Sequence, residues 1–349
     1  MGYKILIIRL SAIGDVVMAT SVINVFRRAY PDSYISWLVE SKAKDLLAEN
    51  TLLDEVIVWH KAEWKELLKR GKIITLTKEI SHLVRQLRRI PYDIAIDMQG
   101  LLKSAVFAYI SGAKDRIGLG SKECSNILMT KVIPRRYDDK RISSQYLQLV
   151  ESLGLEPGDF LMNIAISEKD EGFAENFKDI SNIERYAVIC PFTTRPQKHW
   201  TEGRWSEVSD KILEDYNLPI IMLGGKGDIP ASNRIESMCR KKIFNMSGKF
   251  TLMQSAALIK HSSLLIGVDT GITHMGIAFN IPTIAIFGST CPYTDTRKKN
   301  TIILYKNMEC SPCRRRPTCD GHFKCMEAIT VEDVLRKVSY LLNDENFAR

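Results

Sequence analysis

The 349-residue sequence contains no apolar run of the roughly 18 residues that a membrane-spanning helix requires. Its N-terminus lacks the charged head, long apolar core and cleavage site of a secretory leader. There is no low-complexity tract or short repeat, and 45% hydrophobic with 26% charged residues excludes a disordered or collagenous chain. The sequence therefore predicts a cytoplasmic, globular protein of roughly two domains.

Cysteine is too sparse for a disulfide scaffold, with eight residues in the whole chain. Four of them crowd into one C-terminal loop with the spacing C-x2-C-x5-C-x5-C, and in a reducing compartment such crowding favours metal binding. Four thiolates close a tetrahedral site and leave no open position for catalysis. We therefore expect a structural zinc or iron ion held by Cys310, Cys313, Cys319 and Cys325, with free thiols in a loop as the alternative.

Short β-branched runs alternate with segments of helical periodicity along most of the chain, a pattern typical of parallel strands with crossover helices. A helix is expected at Gly14–Ala29, and capping-box spacings at Thr251 and Thr330 mark two later helix starts. The predicted strands are Tyr3–Leu10, Tyr34–Val39, Glu55–Val58, Asp93–Asp97, Tyr186–Cys190, Pro219–Leu223, Ser263–Val268 and Thr283–Phe287.

The alternation pauses between Gly154 and Ile183, where a linker is expected, and then restarts. We predict an α/β protein of two Rossmann-like, doubly wound domains facing across a cleft, at residues 1–170 and 171–330, with the active site at the carboxyl ends of the strands. The four-cysteine loop at 310–325 would belong to the second domain. The helix at 331–349 is expected to pack back toward the first domain.

The loop after the first predicted strand has the sequence SAIGD at residues 11–15. Gly14 permits a tight turn and the close approach of a ligand to the backbone. Asp15 falls in the first helical turn, where the helix dipole favours its ionised form. An ionised carboxylate at the mouth of a cleft can accept a proton from an attacking hydroxyl, although by itself Asp15 also suits a simple helix cap.

A second βα loop, at residues 191–200, combines hydroxyl and cationic side chains. Thr193 and Thr194 are hydrogen-bond donors, and Lys198 is a mobile positive charge, so the loop suits a phosphate group. A solvated basic loop is the alternative reading of this stretch, because such loops are common in a chain of net charge +8.

The sharpest motif is VDTGITH at residues 268–274, which leaves an apolar strand and enters a helix. The free N–H groups near Thr270 and Gly271 would point at an anion, and His274 stays on the same side one turn later. The pattern predicts a diphosphate site. The alternative is an N-capping pair, Asp269 and Thr270, with a packed histidine.

Together these motifs, with the segment DMQGLLKS at residues 97–104, occur in the order found in the bacterial ADP-heptose:lipopolysaccharide heptosyltransferases, glycosyltransferase family nine. The resemblance extends nearly from the first residue to about Thr290. The segments containing Lys198-His199-Trp200 and Gln99-Gly100-Leu101 look most like heptosyltransferase I. The four-cysteine loop departs from the family pattern.

The resemblance implies a GT-B fold and an inverting transfer of heptose from ADP-heptose to the Kdo or inner-core acceptor of lipopolysaccharide, with no cofactor for catalysis. Asp15 would be the general base, and Lys198 would meet the leaving nucleotide. Donor contacts would come from Thr193, Thr194, Lys198, Asp269, Thr270, Gly271 and His274, and acceptor contacts from Ser11, Gly14 and Gln99.

Further acceptor contacts are predicted in residues 61–90, which hold nine Lys or Arg and three Glu. Arg85, Arg88 and Arg89 belong to an amphipathic pair of helices that suits the phosphates of Kdo-lipid A at the cytoplasmic face of the inner membrane. We therefore expect a peripheral membrane association. Two ordinary solvated helices are the alternative, because charge runs commonly serve solubility.

Three other functions remain open at this stage. A heptosyltransferase II-like enzyme or another GT-B nucleotide-sugar enzyme would share the same motifs. A metal-knuckle nucleic-acid-binding protein would explain the net charge and the cysteines together. Its basic residues, however, are not interleaved with stacking aromatics, so we expect no nucleic-acid partner.

Overall fold

The computed structural model describes residues 2–290, 293–313 and 317–343. The chain divides into two compact units, the first comprising residues 1–139 and 143–165, the second residues 140–142 and 166–349. This division lies close to the predicted boundary after residue 170. Within the described residues, no helix is both long enough and apolar enough to cross a lipid bilayer.

The first unit is a parallel six-stranded sheet with the strand order β3-β2-β1-β4-β5-β6. Its strands are β1 (Lys4–Ile8), β2 (Tyr34–Glu40), β3 (Glu55–Trp59), β4 (Ile94–Asp97), β5 (Asp115–Leu119) and β6 (Lys131–Ile133). Its helices are α1 (Ile13–Ala19), α2 (Ser21–Ala29), α3 (Asp45–Ala48), α4 (Lys61–Lys69), α5 (Ile73–Arg89), α6 (Leu102–Ile110) and α7 (Ser144–Ser152).

The second unit repeats this arrangement in a sheet of order β12-β11-β10-β7-β8-β9. Its strands are β7 (Ala187–Cys190), β8 (Ile220–Met222), β9 (Phe244–Asn245), β10 (Leu264–Val268), β11 (Thr283–Phe287) and β12 (Thr301–Tyr305). Its helices are α8 (Glu168–Ser181), α9 (Glu202–Tyr216), α10 (Ile229–Met238), α11 (Leu252–Lys260), α12 (Gly271–Ala278), α13 (Lys324–Glu327) and α14 (Val331–Asn343).

The central strands are mainly apolar because helices cover both faces of each sheet, and their charged members lie at strand ends, Lys4 at the start of β1 and Asp97 at the end of β4. In β7, Ala187 and Ile189 pack into a core on one face of the second sheet, whereas Val188 and Cys190 pack into a core on the other. The prediction of two parallel-sheet α/β domains is confirmed. The two predicted capping boxes are also present, since Thr251 exchanges hydrogen bonds with Gln254 and Thr330 with Asp333.

Three expectations need correction. The helix predicted at Gly14–Ala29 is two helices, which meet at the buried Thr20, whose hydroxyl donates to the Val17 carbonyl at 2.6 Å. The expected linker at Gly154–Ile183 contains α8, which packs on α11 and begins at Ser167, whose hydroxyl accepts from the Asp170 N–H. Finally, α14 was expected to pack toward the first domain, but it packs on α9 and on the second sheet and places Val334 and Val338 in the core of the second unit. It belongs to the second unit because its apolar face completes the cover of that sheet. Residues 344–349 lie outside the described residues.

Candidate active site

In each sheet the strand order reverses between its two central strands, β1 and β4 in the first unit and β7 and β10 in the second. Ligands of doubly wound sheets bind beyond the carboxyl ends of the strands at that reversal. The predicted motifs follow these four strands, at residues 11–15, 97–104, 191–200 and 268–274. Within each unit, the topology therefore brings two motifs to the same edge of the sheet.

Asp15 lies in the first turn of α1, beyond the end of β1. Its Oδ2 accepts a hydrogen bond from the Ala12 N–H at 3.2 Å and lies 2.7 Å from Nη2 of Arg9. The Asp15 side chain is 42% exposed, whereas that of Arg9 is 7% exposed. The carboxylate is thus fixed on one side and open on the other, which is the arrangement a base needs to receive a proton from a bound hydroxyl.

Buried groups of the first unit hold Asp15 in place. The second guanidinium nitrogen of Arg9, Nη1, donates to the Met98 carbonyl at 3.0 Å, and the Tyr146 hydroxyl donates to the Asp15 carbonyl at 3.2 Å. Burial acts to lower the pKa of Arg9, but nearby Tyr146 and Asp15 raise it by more, so its pKa lies above the ordinary value. Burial also raises the pKa of Tyr146 to about 12.

The segment after β4 is tied to the loop after β1. Oε1 of Gln99 accepts a hydrogen bond from the Leu10 N–H at 3.0 Å, which places Gln99 beside the loop that carries Ser11 and Gly14. Asp97 is buried and accepts from the Ser104 hydroxyl at 2.8 Å. Burial raises the pKa of Asp97, so this residue folds the turn rather than facing a ligand.

The predicted basic acceptor residues lie on α5, where all three are exposed. Nε of Arg88 donates to the Ile110 carbonyl at the end of α6, and Arg89 forms an ion pair with Glu55 on β3 at 2.6 Å. Arg85 bonds within its own helix, to the Ser81 carbonyl at 3.4 Å. Two of the three arginines therefore brace α5 against its neighbours in addition to carrying charge.

In the second unit, Lys198 and Asp269 form a largely buried ion pair, with side chains 15% and 12% exposed. Lys198 ends a short 3-10 turn at Pro196–Lys198, and Asp269 lies between β10 and α12. The hydroxyl of Thr290 donates to Oδ2 of Asp269 at 2.7 Å. Nε2 of His274 lies 3.4 Å from Oδ1 of the same carboxylate.

Asp269 is consequently held as an anion. Burial acts to raise its pKa, but the His274 hydrogen bond and the Lys198 charge hold the pKa of Asp269 well below its ordinary value. The other ring nitrogen of His274, Nδ1, lies 2.7 Å from the Tyr293 hydroxyl. With Nε2 protonated toward Asp269, Nδ1 accepts from Tyr293, which fixes both the tautomer and the ring orientation.

Thr270 and Gly271 open α12 beside this ion pair, with Thr270 as the extended N-cap residue. The first N–H groups of a helix have no intrahelical partners and carry partial positive charge, so together with Lys198 they suit an anionic group. Thr193 and Thr194 lie on the Lys198 loop, which is folded by the His199 ring donating to the Thr193 carbonyl at 2.8 Å. The structure thus places the predicted donor residues on two adjacent loops of one unit.

The structure does not show the predicted metal site: among the described residues, no group of three or more His, Cys, Asp or Glu side chains is placed to hold an ion. Burial and the nearby Cys319 and Cys310 thiols raise the pKa of Cys313, and burial and the same neighbours raise that of Cys325. This four-cysteine segment packs against the end of β11. The Ser311 hydroxyl donates to the Gly288 carbonyl, and a Cβ on Gly288 would lie 3.0 Å from the Cys325 sulfur.

Sequence reasoning missed four residues that position these groups: Arg9, Tyr146, Thr290 and Tyr293. Arg9 had a signal, because a cation at the end of an apolar strand buried on both faces requires an anionic partner. The other three had none, since each lies far along the chain from the residue that it holds.

Comparison with known proteins agrees with this fold. The family model for glycosyltransferase family 9 (heptosyltransferase) matches residues 80–324. Two doubly wound parallel-sheet domains are the architecture of the GT-B type. The chain belongs to glycosyltransferase family 9, and it is a glycosyltransferase.

Curated relatives cover most of the chain. It is 25% identical to the lipopolysaccharide core heptosyltransferase OpsX of Haemophilus influenzae, over 86% of this chain and 84% of that protein. It is 25% identical to lipopolysaccharide heptosyltransferase 1 of Campylobacter coli, over 98% and 100%. It is 23% identical to lipopolysaccharide heptosyltransferase 2 of Escherichia coli K12, over 98% and 99%.

Solved structures share the fold at lower identity. The glycosyl transferase family 9 structure from Veillonella parvula has a TM-score of 0.86 at 22% identity, over 98% of each chain. E. coli heptosyltransferase WaaC with ADP-2-deoxy-2-fluoro heptose has a TM-score of 0.72 at 20% identity, over 97% and 99%. The iron-containing dodecameric glycosyltransferase TibC from E. coli H10407 has a TM-score of 0.59 at 12% identity, over 98% of this chain and 76% of that one.

Proposed function

We propose that this protein transfers a heptose from ADP-heptose to the Kdo or inner-core acceptor of lipopolysaccharide, with inversion at the anomeric carbon. One observation carries the proposal: Lys198 and Asp269, 71 residues apart, meet at the start of α12, where an anion is favoured. The names of the curated relatives support the substrate class, since all describe lipopolysaccharide heptosyltransferases.

On the donor side, the diphosphate of ADP-heptose would lie against the N–H groups of Thr270 and Gly271 and the ammonium group of Lys198. When the bond between the anomeric carbon and the phosphate oxygen breaks, its electron pair leaves with ADP, whose negative charge increases. Lys198 is already fixed by Asp269, so it stabilises that charge without reorganising. His274, Thr193 and Thr194 would complete the contacts to the sugar and the phosphates.

On the acceptor side, Asp15 would take the proton of the acceptor hydroxyl as its oxygen bonds to the anomeric carbon. The half-exposed carboxylate held by Arg9 supports this role, because Asp15 stays oriented while part of its carboxylate remains accessible. Ser11, Gly14 and Gln99 would line the acceptor. Asp15 carries the transferred proton to solvent after the product leaves.

Arg85, Arg88 and Arg89 would attract the phosphates of a Kdo-lipid A acceptor at the inner-membrane face, with the protein cytoplasmic and peripheral to the membrane. Charge reversal at Arg85, the arginine that bonds only within α5 in the described contacts, should raise the acceptor KM and leave ADP binding unchanged. Unchanged acceptor kinetics would remove this helix from acceptor binding.

We favour a heptosyltransferase I-like activity on Kdo-lipid A, because the motifs around Lys198 and Gln99 look most like that type. Relatives named heptosyltransferase 2 and 3 match the chain over similar lengths, so a type II-like acceptor is the second candidate. Family membership favours either enzyme over the nucleic-acid-binding alternative.

The decisive experiment is mass spectrometry of Kdo-lipid A, and separately of heptosyl-Kdo-lipid A, incubated with the protein and ADP-heptose. A mass gain of one heptose on the first substrate alone supports the type I activity, and a gain on the second alone supports type II. Thermal shift with ADP, UDP and GDP identifies the nucleotide that the protein binds, and ADP is expected to stabilise the protein more than the other two. No heptose transfer to either substrate would contradict the proposal.

For the cysteine loop, we propose a structural zinc or iron ion bound by Cys310, Cys313, Cys319 and Cys325. The C-x2-C-x5-C-x5-C spacing supports it, because four sulfur ligands close a tetrahedral site. TibC is described as iron-containing. Elemental analysis of purified protein should give about one metal ion per chain, lost in Cys319→Ser; a metal-free, fully folded protein would overturn the proposal.

A further inference from the structure

A cavity of about 490 Å³ lies in the first unit between α5 and α6. Its walls are mainly apolar: Ile80, Val84 and Leu87 from α5 face Leu102 and Val106 from α6. The volume is within the range of small-molecule sites in proteins. We call this cavity the α5–α6 groove.

The α5–α6 groove exposes apolar surface that a folded chain ordinarily covers. Ile80, Leu102 and Val106 are 39%, 43% and 37% exposed, although all three lie against one cavity. A contiguous apolar surface of this kind marks a binding site more often than chance exposure does. The groove therefore has the character of a site for an apolar ligand.

The groove is long in one direction. The α6 wall runs from Leu102 to Ile110, eight residues or about 12 Å along the helix axis. On α5, Ile80, Val84 and Leu87 follow the same direction at helical spacing, so they form a continuous apolar strip. A continuous apolar strip along two helices fits an alkyl chain.

Positive charge borders the α5–α6 groove. Lys103 lines the end of the groove near the start of α6, and Lys61 lies near the Lys103 amine. Glu123 lies at the same end and accepts a hydrogen bond from the Leu102 N–H. At the other end, Arg88 bonds to the Ile110 carbonyl. The whole segment 61–90 has nine basic and three acidic residues. The surroundings are therefore complementary to an amphiphile whose head is anionic.

The α5–α6 groove begins close to Gln99, one of the predicted acceptor contacts. Leu102 follows Gln99 by three residues, so their Cα atoms are at most about 11 Å apart. Gln99 is bonded to Leu10, and Arg9, which holds Asp15, is bonded to Met98. An anionic sugar head at Asp15 and an alkyl chain in the groove can thus belong to one molecule.

We propose that the α5–α6 groove binds one acyl chain of the lipid-linked acceptor, while the sugar head of the same molecule lies at Asp15. This inference rests on the proposed function for the identity of the head. The groove itself is tested without that assumption, by binding of simple alkyl phosphates.

The first experiment measures binding of decyl and dodecyl phosphate by calorimetry, below the concentrations at which they form micelles. Burial of two more methylenes should tighten binding roughly 15-fold. Val106→Glu should weaken dodecyl phosphate binding at least tenfold, and so should Ile80→Glu on the opposite wall. Ile180→Glu, on an equally apolar and 78% exposed position of α8, is the matched control and should bind normally. Equal affinity for the two chain lengths would overturn the proposal.

The second experiment compares acceptor kinetics with acylated Kdo-lipid A and with the same saccharide after removal of its acyl chains. Val106→Glu should raise KM for the acylated acceptor at least tenfold, with little change in kcat, and should leave KM for the deacylated one unchanged. Equal effects on both acceptors would contradict an acyl site. If neither acceptor is glycosylated but the alkyl phosphates still bind with the expected chain-length dependence, the proposed function fails and the alkyl site stands.

Two further outcomes identify other occupants and would overturn the proposal. If Ile74→Glu, at a 77% exposed position of α5 that does not line the groove, weakens acylated-acceptor kinetics as much as Val106→Glu, the helix inserts into a bilayer surface instead. If Val106→Glu lowers the solution mass of the protein, the groove is covered by a second copy of the chain. Circular dichroism of each variant verifies that the fold is retained.

Discussion

The two units have the same strand order and place an aspartate–cation pair at the same topological point, yet the two carboxylates differ in their surroundings. Asp15 is 42% exposed and is paired with one buried arginine. Asp269 is 12% exposed and is contacted by Lys198, His274 and Thr290. The strand-order reversal thus carries an accessible carboxylate after β1 in the first unit and a locked one after β10 in the second.

This difference separates two chemical tasks. A general base must exchange a proton, so one side of its carboxylate must reach the substrate. A carboxylate that orients a lysine must remain an anion, and several donors achieve this by stabilising the charge. The proposed roles, proton transfer for Asp15 and positioning for Asp269, therefore rest on exposure and the number of donors rather than on residue type.

The largest effect is expected from Asp15→Asn. The amide cannot accept the acceptor proton, so kcat should fall roughly 10²- to 10⁴-fold, while the affinity for ADP stays the same. Turnover assays and calorimetry with ADP measure the two quantities. Asp32→Asn, an exposed aspartate of the same unit, is the control. Near-normal turnover in Asp15→Asn would remove the contrast between the two carboxylates.

Lys198→Met should have the next largest effect, because it removes the fixed cation that would meet the leaving diphosphate. Loss of one such group costs about 2.7–4 kcal/mol of transition-state stabilisation, so kcat should fall roughly 10²- to 10³-fold. Lys226→Met, on the exposed turn before α10, is the matched control and should retain activity. A change in the acceptor KM alone would indicate that Lys198 contacts the acceptor and not the leaving diphosphate.

The free energy of unfolding should rank the two aspartates in the opposite order from turnover, with the larger loss at Asp269. Asp269→Asn leaves Lys198 without its buried counter-ion and should cost about 3 kcal/mol of the free energy of unfolding, whereas Asp15→Asn keeps an oxygen for Arg9 and should cost about 1 kcal/mol. Urea denaturation followed by tryptophan fluorescence measures both losses, because Trp37 is buried in the first unit and Trp205 in the second. Equal losses would show that burial does not distinguish the two sites.

The stability gap between the wild type and Asp269→Asn should also depend on pH. The pKa of Asp269 is lower in the folded chain than in the unfolded one, so its contribution is present at neutral pH and decreases as the pH falls. Denaturation at pH 7, 5 and 4 should show a gap that narrows below about pH 5. A gap that widens on acidification would give Asp269 a raised pKa and contradict the ion pair.

The smallest effect is expected from Thr290→Val, which removes one of the donors to Asp269. A hydrogen bond to a charged group contributes about 1.5–3 kcal/mol, and part of it is recovered from Lys198 and His274, so turnover should fall roughly tenfold. Thr301→Val is the matched control: the Thr301 hydroxyl is buried without a hydrogen-bond partner among the described residues, so its loss should be neutral or stabilising.

The sequence predicted the central strands of both sheets because burial on both faces makes them continuous apolar runs. Thr283–Phe287 was predicted with its observed bounds, and β1, β7 and β10 to within a few residues. Four strands were missed: β5, β6, β9 and β12. The strands β6 and β9 have only three and two residues, and β5 begins with Asp115 and Arg116, so they carry little periodic signal. The strand β12, with the sequence TIILY, is an apolar run that sequence reasoning overlooked. These strands exist because a neighbour supplies their hydrogen bonds.

The motifs predicted which residues belong to the candidate site, but they did not predict which of those side chains contact one another. The meeting of Lys198 with Asp269, and of Asp269 with Thr290, depends on how β7, β10 and β11 are ordered in the sheet. Composition and spacing hold no information on such long-range partners. The roles assigned to Asp15 and the donor residues stay predictions until the variants above are measured.

Gly288 lies two residues before Thr290, at the end of β11, and the space where a Cβ would stand is filled by Met326 and Cys325. Trp200, two residues after Lys198, donates through Nε1 to the Ile329 carbonyl of the same C-terminal region. Cys325, Met326 and Ile329 therefore support the two loops that carry Thr290 and Lys198, and deleting the cysteine-rich segment should displace both loops.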